Sequence, residues 1–481
     1  MNNIKFLLFI FLLFSIVFIG CKEKSENATQ QQKLQKQSIF VINNVNIIPM
    51  TVDNTIIENV NVVIDNKKIV AINGSIPSGA TIIDGKGKWL IPGLIDMHVH
   101  TNADLNFSKT APTQGATFFM NTQDVMTTHI ANGVTTIFEL GGRVEHFGQR
   151  NEIVKGEVIG PRMAIAPMIN GGDPNNGGRI VNNASDARQA VRSIKAEGYN
   201  FVKVYSSLNI ESFEAIIDEA KKQGLKVVGH IPDEFKGKTE KAFIPNFGLV
   251  AHAEEFSKQI RNQPKTKKEA HYFAQLAKKN NTWLNPTLIA IVKVRDQVQS
   301  LDSIALMETL KYVHPLLQDK WLTSNNYNKH SSPEFLNYLN SIITFHKEMI
   351  VAFKKAGVPI VAGTDAGVSG VITGFALHDE LELLVDAGLT NEETLISATR
   401  LPAEWLGIDK EVGTVEIGKY ADLVLLDANP LEDIKNTRTI NGVFVNGTWV
   451  DKGKIDKMLS DLAEWNTAMK DKYKWKNRRE Y

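Results

Sequence analysis

Residues 89–100 read Trp-Leu-Ile-Pro-Gly-Leu-Ile-Asp-Met-His-Val-His, and this stretch decides how the rest of the chain is interpreted. The apolar run that ends in His98 and His100 is typical of a buried strand. Because side chains at positions i and i+2 of a strand point to the same face, we expect the two imidazoles to lie side by side. Two neutral imidazoles at that spacing suit a divalent metal ion, although the same spacing also occurs by chance.

From residue 92 to about residue 406, short β-branched segments alternate with longer helical patterns, as they do in βα units. One example is the amphipathic pattern of residues 210–223, which ends at the helix stop signal Gly224. We therefore expect the α/β class, and eight such units would close a (β/α)8 TIM barrel. Residues from about 289 to 346 exceed what one unit needs. We expect them to form a helical insertion after strand 7 that could serve as a lid.

Short β-branched segments separated by Asn, Asp and Gly turn signals occur on both sides of this region, in residues 38–91 and 407–453. The turn signals predict an antiparallel module, and residues 413–417 have the texture of one of its strands. Neither part alone offers enough strands to bury a core. We therefore expect the N- and C-terminal segments to form one small β-sandwich domain together.

The N-terminus has the features of a secretory signal. An apolar stretch, residues 6–19, is too short to span a bilayer but suits the hydrophobic region of a signal peptide. Residues 18–21 resemble a bacterial lipobox that ends in Cys21, the only cysteine, so a disulfide within the chain is excluded. We expect lipidation of Cys21, with an ordinary cleaved signal as the alternative. The predicted domains are a lipoprotein signal peptide (1–21), a flexible tether (22–37), the two parts of the β-sandwich (38–91 and 407–453), the barrel (92–406) and a C-terminal helix with a basic tail (454–481).

The net charge of the chain and the expected lipid anchor indicate which partners and which cellular location to expect. The 54 Lys and Arg residues balance 53 Asp and Glu residues, a formal net charge of +1. Nucleic acid is therefore not an expected partner, whereas a small-molecule substrate is. The lipid anchor would place the protein in the cell envelope, at the outer membrane and facing either the periplasm or the cell surface. A homo-oligomer is compatible with the sequence.

Residue types suited to metal chemistry recur where later predicted strands end. They are Lys203 in Phe-Val-Lys-Val-Tyr, His230 after Lys-Val-Val-Gly, His252 in Leu-Val-Ala-His-Ala and Asp365 after Val-Ala-Gly-Thr. In parallel barrels the C-terminal ends of the strands meet at one face, where active sites are built. We therefore expect these side chains to lie near the first histidine pair. Tyr205, on the same strand face as Lys203, is a candidate substrate contact, although a packing role is also common for a tyrosine there.

The sequence resembles the amidohydrolase superfamily, most of all its imidazolonepropionase-like and Xaa-Pro dipeptidase-like members, from about residue 38 to residue 454. Four motifs together carry the resemblance: Pro-Gly-Leu-Ile-Asp-Met-His-Val-His (92–100), Gly-Val-Thr-Thr (133–136), Gly-Thr-Asp-Ala-Gly (363–367) and Gly-Thr-Val-Glu-Ile-Gly-Lys-Tyr-Ala-Asp-Leu-Val (413–424). The resemblance implies two divalent metal ions, expected to be Zn²⁺. The implied ligands are His98, His100 and Asp365 for one ion, His230 and His252 for the other, and Lys203, as a carbamate formed with CO2, for both.

The resemblance also implies an activity, the hydrolysis of a C–N amide bond in a small substrate by a hydroxide held between the metals. The substrate would be a dipeptide, an N-acyl amino acid or a cyclic amide, and Asp365 would carry the proton from the hydroxide to the leaving amine. A lactonase, esterase or phosphoesterase on the same two-metal site stays open, as does a non-catalytic lipoprotein scaffold. Residues 170–174, Glu139 and the pair Glu254-Glu255 depart from the pattern of relatives, so substrate identity does not transfer.

Overall fold

A computed structural model describes residues 39–101, 104–105, 118–173 and 176–477. The expected signal peptide, the tether and the lipidation site Cys21 lie outside these residues and stay predictions. Within the described ranges, no helix is long and apolar enough to cross a membrane.

Strands from both ends of the chain form one mixed eight-stranded sheet. In hydrogen-bonded order its strands are β19 (Thr448–Asp451), β18 (Ile440–Val445), β17 (Leu423–Leu426), β5 (Trp89–Pro92), β1 (Phe40–Ile47), β2 (Ile57–Asp65) and β3 (Lys68–Ile72), with β4 (Thr81–Asp84) paired to β1. The sheet curls until β3 meets the segment before β17, where Ile69 N donates to Lys419 O over 3.0 Å. It encloses an apolar core of its own, which includes Ile42, Val62 and Phe444.

Two expectations for this sheet are wrong. The pairs of β1 with β4 and of β1 with β5 are parallel, although the turn signals predict an antiparallel module. The reason is that the two hairpins β1–β2 and β2–β3 reverse the chain twice and so restore the direction of β1. Residues 81–92 then run along β1 in that direction, as a strand that is interrupted at residues 85–88. Residues 413–417 form no strand. Val415 is nonetheless buried, and its N–H donates to Pro49 O over 2.9 Å, so this segment fills the core instead of extending the sheet.

The central region contains two parallel sheets. A three-stranded sheet consists of β6 (Leu94–Val99), β9 (Val134–Glu139) and β10 (Arg162–Ile165). A six-stranded sheet consists of β11 (Met168–Asn170), β12 (Arg179–Ile180), β13 (Phe201–Val204), β14 (Lys226–Gly229), β15 (Phe247–Ala251) and β16 (Trp283–Asn285). A separate short pair consists of β7 (Asp104–Leu105) and β8 (Phe118–Phe119).

Backbone pairing joins these two sheets at two places. Residues 162–170 pair with β9 through β10 and with β13 through β11. Residues 359–362 lie between β16 and β6, to which they are bonded through Val361 N and Met97 N over 2.9 and 3.0 Å. Because the strands are parallel, their C-terminal ends face the same side, and the expected site residues lie there.

The α-helices of the described residues are, in chain order, α1 (Thr122–Ala131), α2 (Val144–Lys155), α3 (Ala184–Ala196), α4 (Ile210–Gln223), α5 (Glu254–Gln259), α6 (Lys267–Lys279), α7 (Leu288–Gln299), α8 (Asp302–Ala305), α9 (Pro315–Thr323), α10 (Asn326–Lys329), α11 (Pro333–Ala356), α12 (Phe375–Asp386), α13 (Asn391–Ser397), α14 (Arg400–Leu406) and α15 (Lys452–Met469). Helix α4 has the predicted bounds and ends at Gly224, where φ is +66°. Helix α15 begins just before the predicted residue 454, because Asp451 accepts a hydrogen bond from Lys454 N over 2.8 Å and caps the helix.

The helical insertion after β16 consists of α7 to α11 and is longer than expected. Its last helix runs past residue 346 to Ala356, because no helix breaker occurs before Gly357, where φ is +68°. Helices α7 and α11 pack against each other through apolar side chains such as Val294 and Ile342. The insertion therefore has a small core of its own next to the C-terminal ends of the strands.

Gly93→Ala tests the junction between β5 and β6. A Cβ atom at residue 93 would lie 2.0 Å from Thr135 Oγ1. We expect this variant to lower the free energy of unfolding by about 1–3 kcal/mol in chemical denaturation, because the added methyl group must displace buried strands. The matched control is Gly148→Ala in α2, where a Cβ atom would meet nothing within 4 Å and stability should not fall. Equal stability of the two variants would contradict the close packing at Gly93.

Candidate metal centre

The histidine pair at the end of β6 meets an aspartate from the loop after residues 359–362. The Nε2 atoms of His98 and His100 lie 3.3 Å apart. Oδ1 of Asp365 lies 3.2 Å from His98 Nε2 and 3.1 Å from His100 Nε2. Ligand atoms of the three residues all lie within 4.8 Å of one another. Two imidazole nitrogens and a carboxylate are a donor set that suits a divalent transition metal.

The carboxylate of Asp96 fixes the two chain segments that carry these side chains. It is fully buried and accepts hydrogen bonds from His98 N over 3.1 Å and from Thr364 N and Oγ1 over 3.0 and 2.7 Å. Burial raises the pKa of Asp96 to about 7, against the effect of these hydrogen bonds. Asp96 belongs to the motif of residues 89–100, but the alternation of side chains along a strand does not predict its hydrogen-bond donors.

Asp365 and His98 are in the protonation states that metal binding requires. Burial opposes ionisation of Asp365, but the positive charges that His98 and His252 carry when they are protonated at low pH hold the pKa of its carboxyl well below the usual range. Burial, followed by the charge of Lys203, lowers the pKa of His98 to about 4. An anionic carboxylate therefore lies next to a neutral imidazole, and these are the forms of the two side chains that bind metal ions.

A second histidine pair, His230 and His252, follows the neighbouring strands β14 and β15, with ring centroids 5.0 Å apart. The Ser206 hydroxyl lies 2.7 Å from His230 Nδ1. The Thr287 hydroxyl lies 2.8 Å from His252 Nδ1. Nε2 of His230 is buried and has no hydrogen-bond partner among the described residues. A buried nitrogen without a partner, in a ring whose other nitrogen is held, is typical of metal-ligating histidines.

Lys203 lies next to the first histidine pair and lowers the pKa values of the second pair. Its side chain is 1% exposed, and Nζ lies 3.2 Å from His98 Nε2. Burial first, and then neighbouring charges that include Lys203, hold the pKa values of His230 and His252 well below the usual range. Burial lowers the pKa of Lys203 itself to about 8, so part of the population carries a neutral amine near pH 7. The neutral amine is the form that reacts with CO2 to give a carbamate.

Two buried glutamates lie beside these histidines. Oε1 of Glu139 lies 3.7 Å from His100 Nδ1, and Oε2 accepts a hydrogen bond from Thr101 N over 2.5 Å. Oε1 of Glu255 lies 3.2 Å from His230 Nδ1. A carboxylate at the outer nitrogen of a ligating histidine fixes the orientation of the ring. In the sequence both glutamates stand out only as departures from a family pattern, and their burial could not be predicted without knowing which loops meet.

A cavity of about 460 Å³ opens above these side chains. The strand ends and the loops after them contribute His100, Lys203, Tyr205, His252 and Asp365 to its lining. The insertion contributes Trp321 and Tyr327. The ring centroid of Tyr205 lies 4.0 Å from that of His230. A molecule in this cavity would meet Tyr205, whose role as a substrate contact stays a prediction.

Comparison with known proteins places this geometry in a family. Residues 89–450 match the family model described as the amidohydrolase family. An imidazolonepropionase of Maricaulis maris is 34% identical over 108 residues, 21% of this chain and 26% of that protein, so the match spans about a quarter of this curated relative. A solved Xaa-Pro dipeptidase with bound methionine in its active site is 22% identical, with a TM-score of 0.64 over 86% of this chain and 100% of that one. Bottromycin amidohydrolase is 18% identical, with a TM-score of 0.70 over 90% and 91%. At these identities the structures show a shared fold.

Removal of one side chain tests whether this arrangement holds metal. We expect His98→Asn to bind less than half the zinc of the wild-type protein after loading with Zn²⁺ and desalting, because His98 Nε2 contacts both Asp365 and Lys203. Elemental analysis by mass spectrometry measures the metal. His271→Asn, at an exposed position of α6, is the matched control and should retain full zinc content. Equal zinc in the two variants would contradict a metal role for His98.

Proposed function

The chain belongs to the amidohydrolase family, and from that premise we propose that it is an enzyme that hydrolyses a C–N amide bond of a small substrate with two divalent metal ions. The observation that carries the proposal is the position of Lys203, a buried amine 3.2 Å from His98 Nε2 in a cavity that also contains Asp365. An ammonium group beside two dications would be repelled. The lysine must therefore be neutral or carboxylated when the metals bind.

The proposed metal ligands are four histidines, one aspartate and one carboxylated lysine. They are His98, His100 and Asp365 for one ion, His230 and His252 for the other, and Lys203 for both. Two observations support the fit, the three ligand atoms within 4.8 Å and the buried Nε2 of His230 that has no partner among the described residues. Imidazole and carboxylate donors suit zinc. Zinc ions bound there would acidify a water molecule and polarise the substrate carbonyl.

We assign proton transfer to Asp365. Its ionised carboxylate lines the cavity and lies 3.2 and 3.1 Å from the Nε2 atoms of His98 and His100. Its backbone is held in place because the Asp365 N–H donates to His98 O over 2.8 Å. From this position it can accept a proton from the attacking water and deliver it to the leaving nitrogen, which must be protonated to depart as an amine. Tyr205 lines the same cavity and is the proposed contact for the body of the substrate.

The proposed enzyme has a (β/α)8 barrel and a β-sandwich domain. Support for the barrel comes from residues 162–170 and 359–362, each of which pairs with strands of both parallel sheets. Support for the sandwich comes from the curled eight-stranded sheet, which encloses its own apolar core. A barrel would bring the ligands from β6, β13, β14 and β15 to one mouth.

Dipeptides, N-acyl amino acids and cyclic amides are the proposed substrates. The dipeptide is favoured because one structural neighbour is a Xaa-Pro dipeptidase. If the protein hydrolyses lactones, esters or phosphoesters but not amides, it is a lactonase, esterase or phosphoesterase that uses the same two-metal site. An absence of turnover across the panel, at full metal occupancy, would favour a binding scaffold.

A substrate panel on the zinc-loaded enzyme, with bicarbonate present, tests the proposal. We expect turnover of at least one amide class, and a kcat/KM at least about 100-fold lower in Lys203→Ala because the shared ligand is lost. Added propionate should restore part of the activity, since a free carboxylate can occupy the space of the carbamate. Lys222→Ala, on the exposed face of α4, is the matched control and should retain full activity. Undiminished activity in Lys203→Ala would contradict the proposed bridge.

A further inference from the structure

A second cavity, of about 320 Å³, lies between the helical insertion and the second histidine pair. We call it the insertion cavity. On one side it reaches His230, His252 and Asp365, and on the other side it is lined by Val294 of α7 and Ile342 of α11. A group that enters this cavity therefore lies directly beside proposed metal ligands.

The wall that the insertion contributes is apolar. Val294 and Ile342 belong to the small core between α7 and α11, and Phe335 and Tyr338 pack against that core from α11. All four side chains also line the insertion cavity. Such a wall favours an apolar group, since contact with it removes hydrocarbon surface from water.

The charged side chains at the cavity disfavour an acidic group. Lys258 lines the cavity, but its ammonium lies 2.7 Å from Glu255 Oε1 and 3.8 Å from Glu254 Oε1. The Lys258 ammonium is therefore already paired with two acidic side chains. Among the described residues, the insertion side of the cavity offers no unpaired cation to a carboxylate on the incoming group, whereas an uncharged apolar group needs none.

The wall is held in a fixed position relative to the second histidine pair. Thr287, directly before α7, has φ +47°, an uncommon conformation for a β-branched residue, and its hydroxyl lies 2.8 Å from His252 Nδ1. The buried Glu380 carboxylate accepts hydrogen bonds from Leu288 N and Ile289 N over 3.0 and 2.7 Å. These contacts tie the start of α7 to the site, so the cavity is preorganised.

A competing apolar cavity adjoins the 460 Å³ cavity above the candidate metal centre. It includes Leu462 and Trp465 of α15 and shares Gly367 and Trp321 with that 460 Å³ cavity. None of the described residues that line it is a proposed metal ligand. A group in the competing cavity would therefore not contact the proposed metal ligands, whereas a group in the insertion cavity would.

We propose that the insertion cavity is a specificity subsite that receives a large, uncharged apolar side chain of the substrate next to the scissile amide. The proposal rests on the proposed function, because the metal centre positions the amide. It predicts a preference for branched aliphatic or aromatic residues over glycine and over acidic residues at that position.

Binding of amino acid hydroxamates to the zinc-loaded protein, measured by calorimetry, tests the subsite without requiring turnover. The hydroxamate group chelates zinc, and the side chain then reports on the neighbouring cavity. We expect L-leucine hydroxamate to bind at least about 10-fold more tightly than glycine hydroxamate. In Val294→Phe, whose added ring fills the insertion cavity, the ratio should fall below about 2-fold while glycine hydroxamate binds as in the wild type. Leu462→Phe, which fills the competing cavity, is the matched control and should retain the wild-type ratio.

The outcomes separate this proposal from the proposed function. If glycine hydroxamate does not bind the zinc-loaded wild-type protein, the metal centre fails and the subsite fails with it. If glycine and leucine hydroxamates bind the wild type equally, only the subsite is overturned. If Leu462→Phe removes the preference and Val294→Phe keeps it, the side chain enters the competing cavity. Should Val294→Phe not fold, Ile342→Ala enlarges the cavity and should shift the preference toward L-phenylalanine hydroxamate, and an unchanged order would overturn the subsite.

Discussion

The hydrogen bonds of the buried Asp96 carboxylate hold the proposed active site together. Asp96 lies on β6 with the first histidine pair and accepts hydrogen bonds from both the backbone and the hydroxyl of Thr364. These bonds join the first strand of the central region to the loop that carries Asp365. Since the donor set proposed for the first metal is divided between those two segments, its geometry depends on this junction.

The part of the site that could be predicted is the part that strand geometry dictates. His98 and His100 share a face because of the strand period. Lys203 lies near the C-terminal end of β13, and His230 and His252 directly follow β14 and β15, which belong to the same parallel sheet. The residues that orient them could not be predicted in the same way. Ser206 and Thr287 approach the second histidine pair from loops, and no sequence pattern states which loops will meet.

The fold shows the same division between local and tertiary information. Helix α4 could be predicted to the residue because its stop signal is local, whereas α11 continues past the expected residue 346 to Ala356, directly before Gly357. The parallel pairing of β4 and β5 with β1 depends on the two intervening hairpins, β1–β2 and β2–β3, which together restore the chain direction. The helices of the insertion form one wall of the cavity beside the second histidine pair, so the element that departs from a simple βα unit limits the space there.

The proposed two-metal mechanism depends on Lys203 as a carbamate that is a ligand of both ions. Anomalous diffraction at the zinc edge, from crystals of the zinc-loaded protein grown with bicarbonate, tests this role. We expect two peaks about 3.5–4 Å apart, with electron density that extends beyond Nζ of Lys203 toward both. A single peak between His98, His100 and Asp365, next to an unmodified lysine, would contradict it.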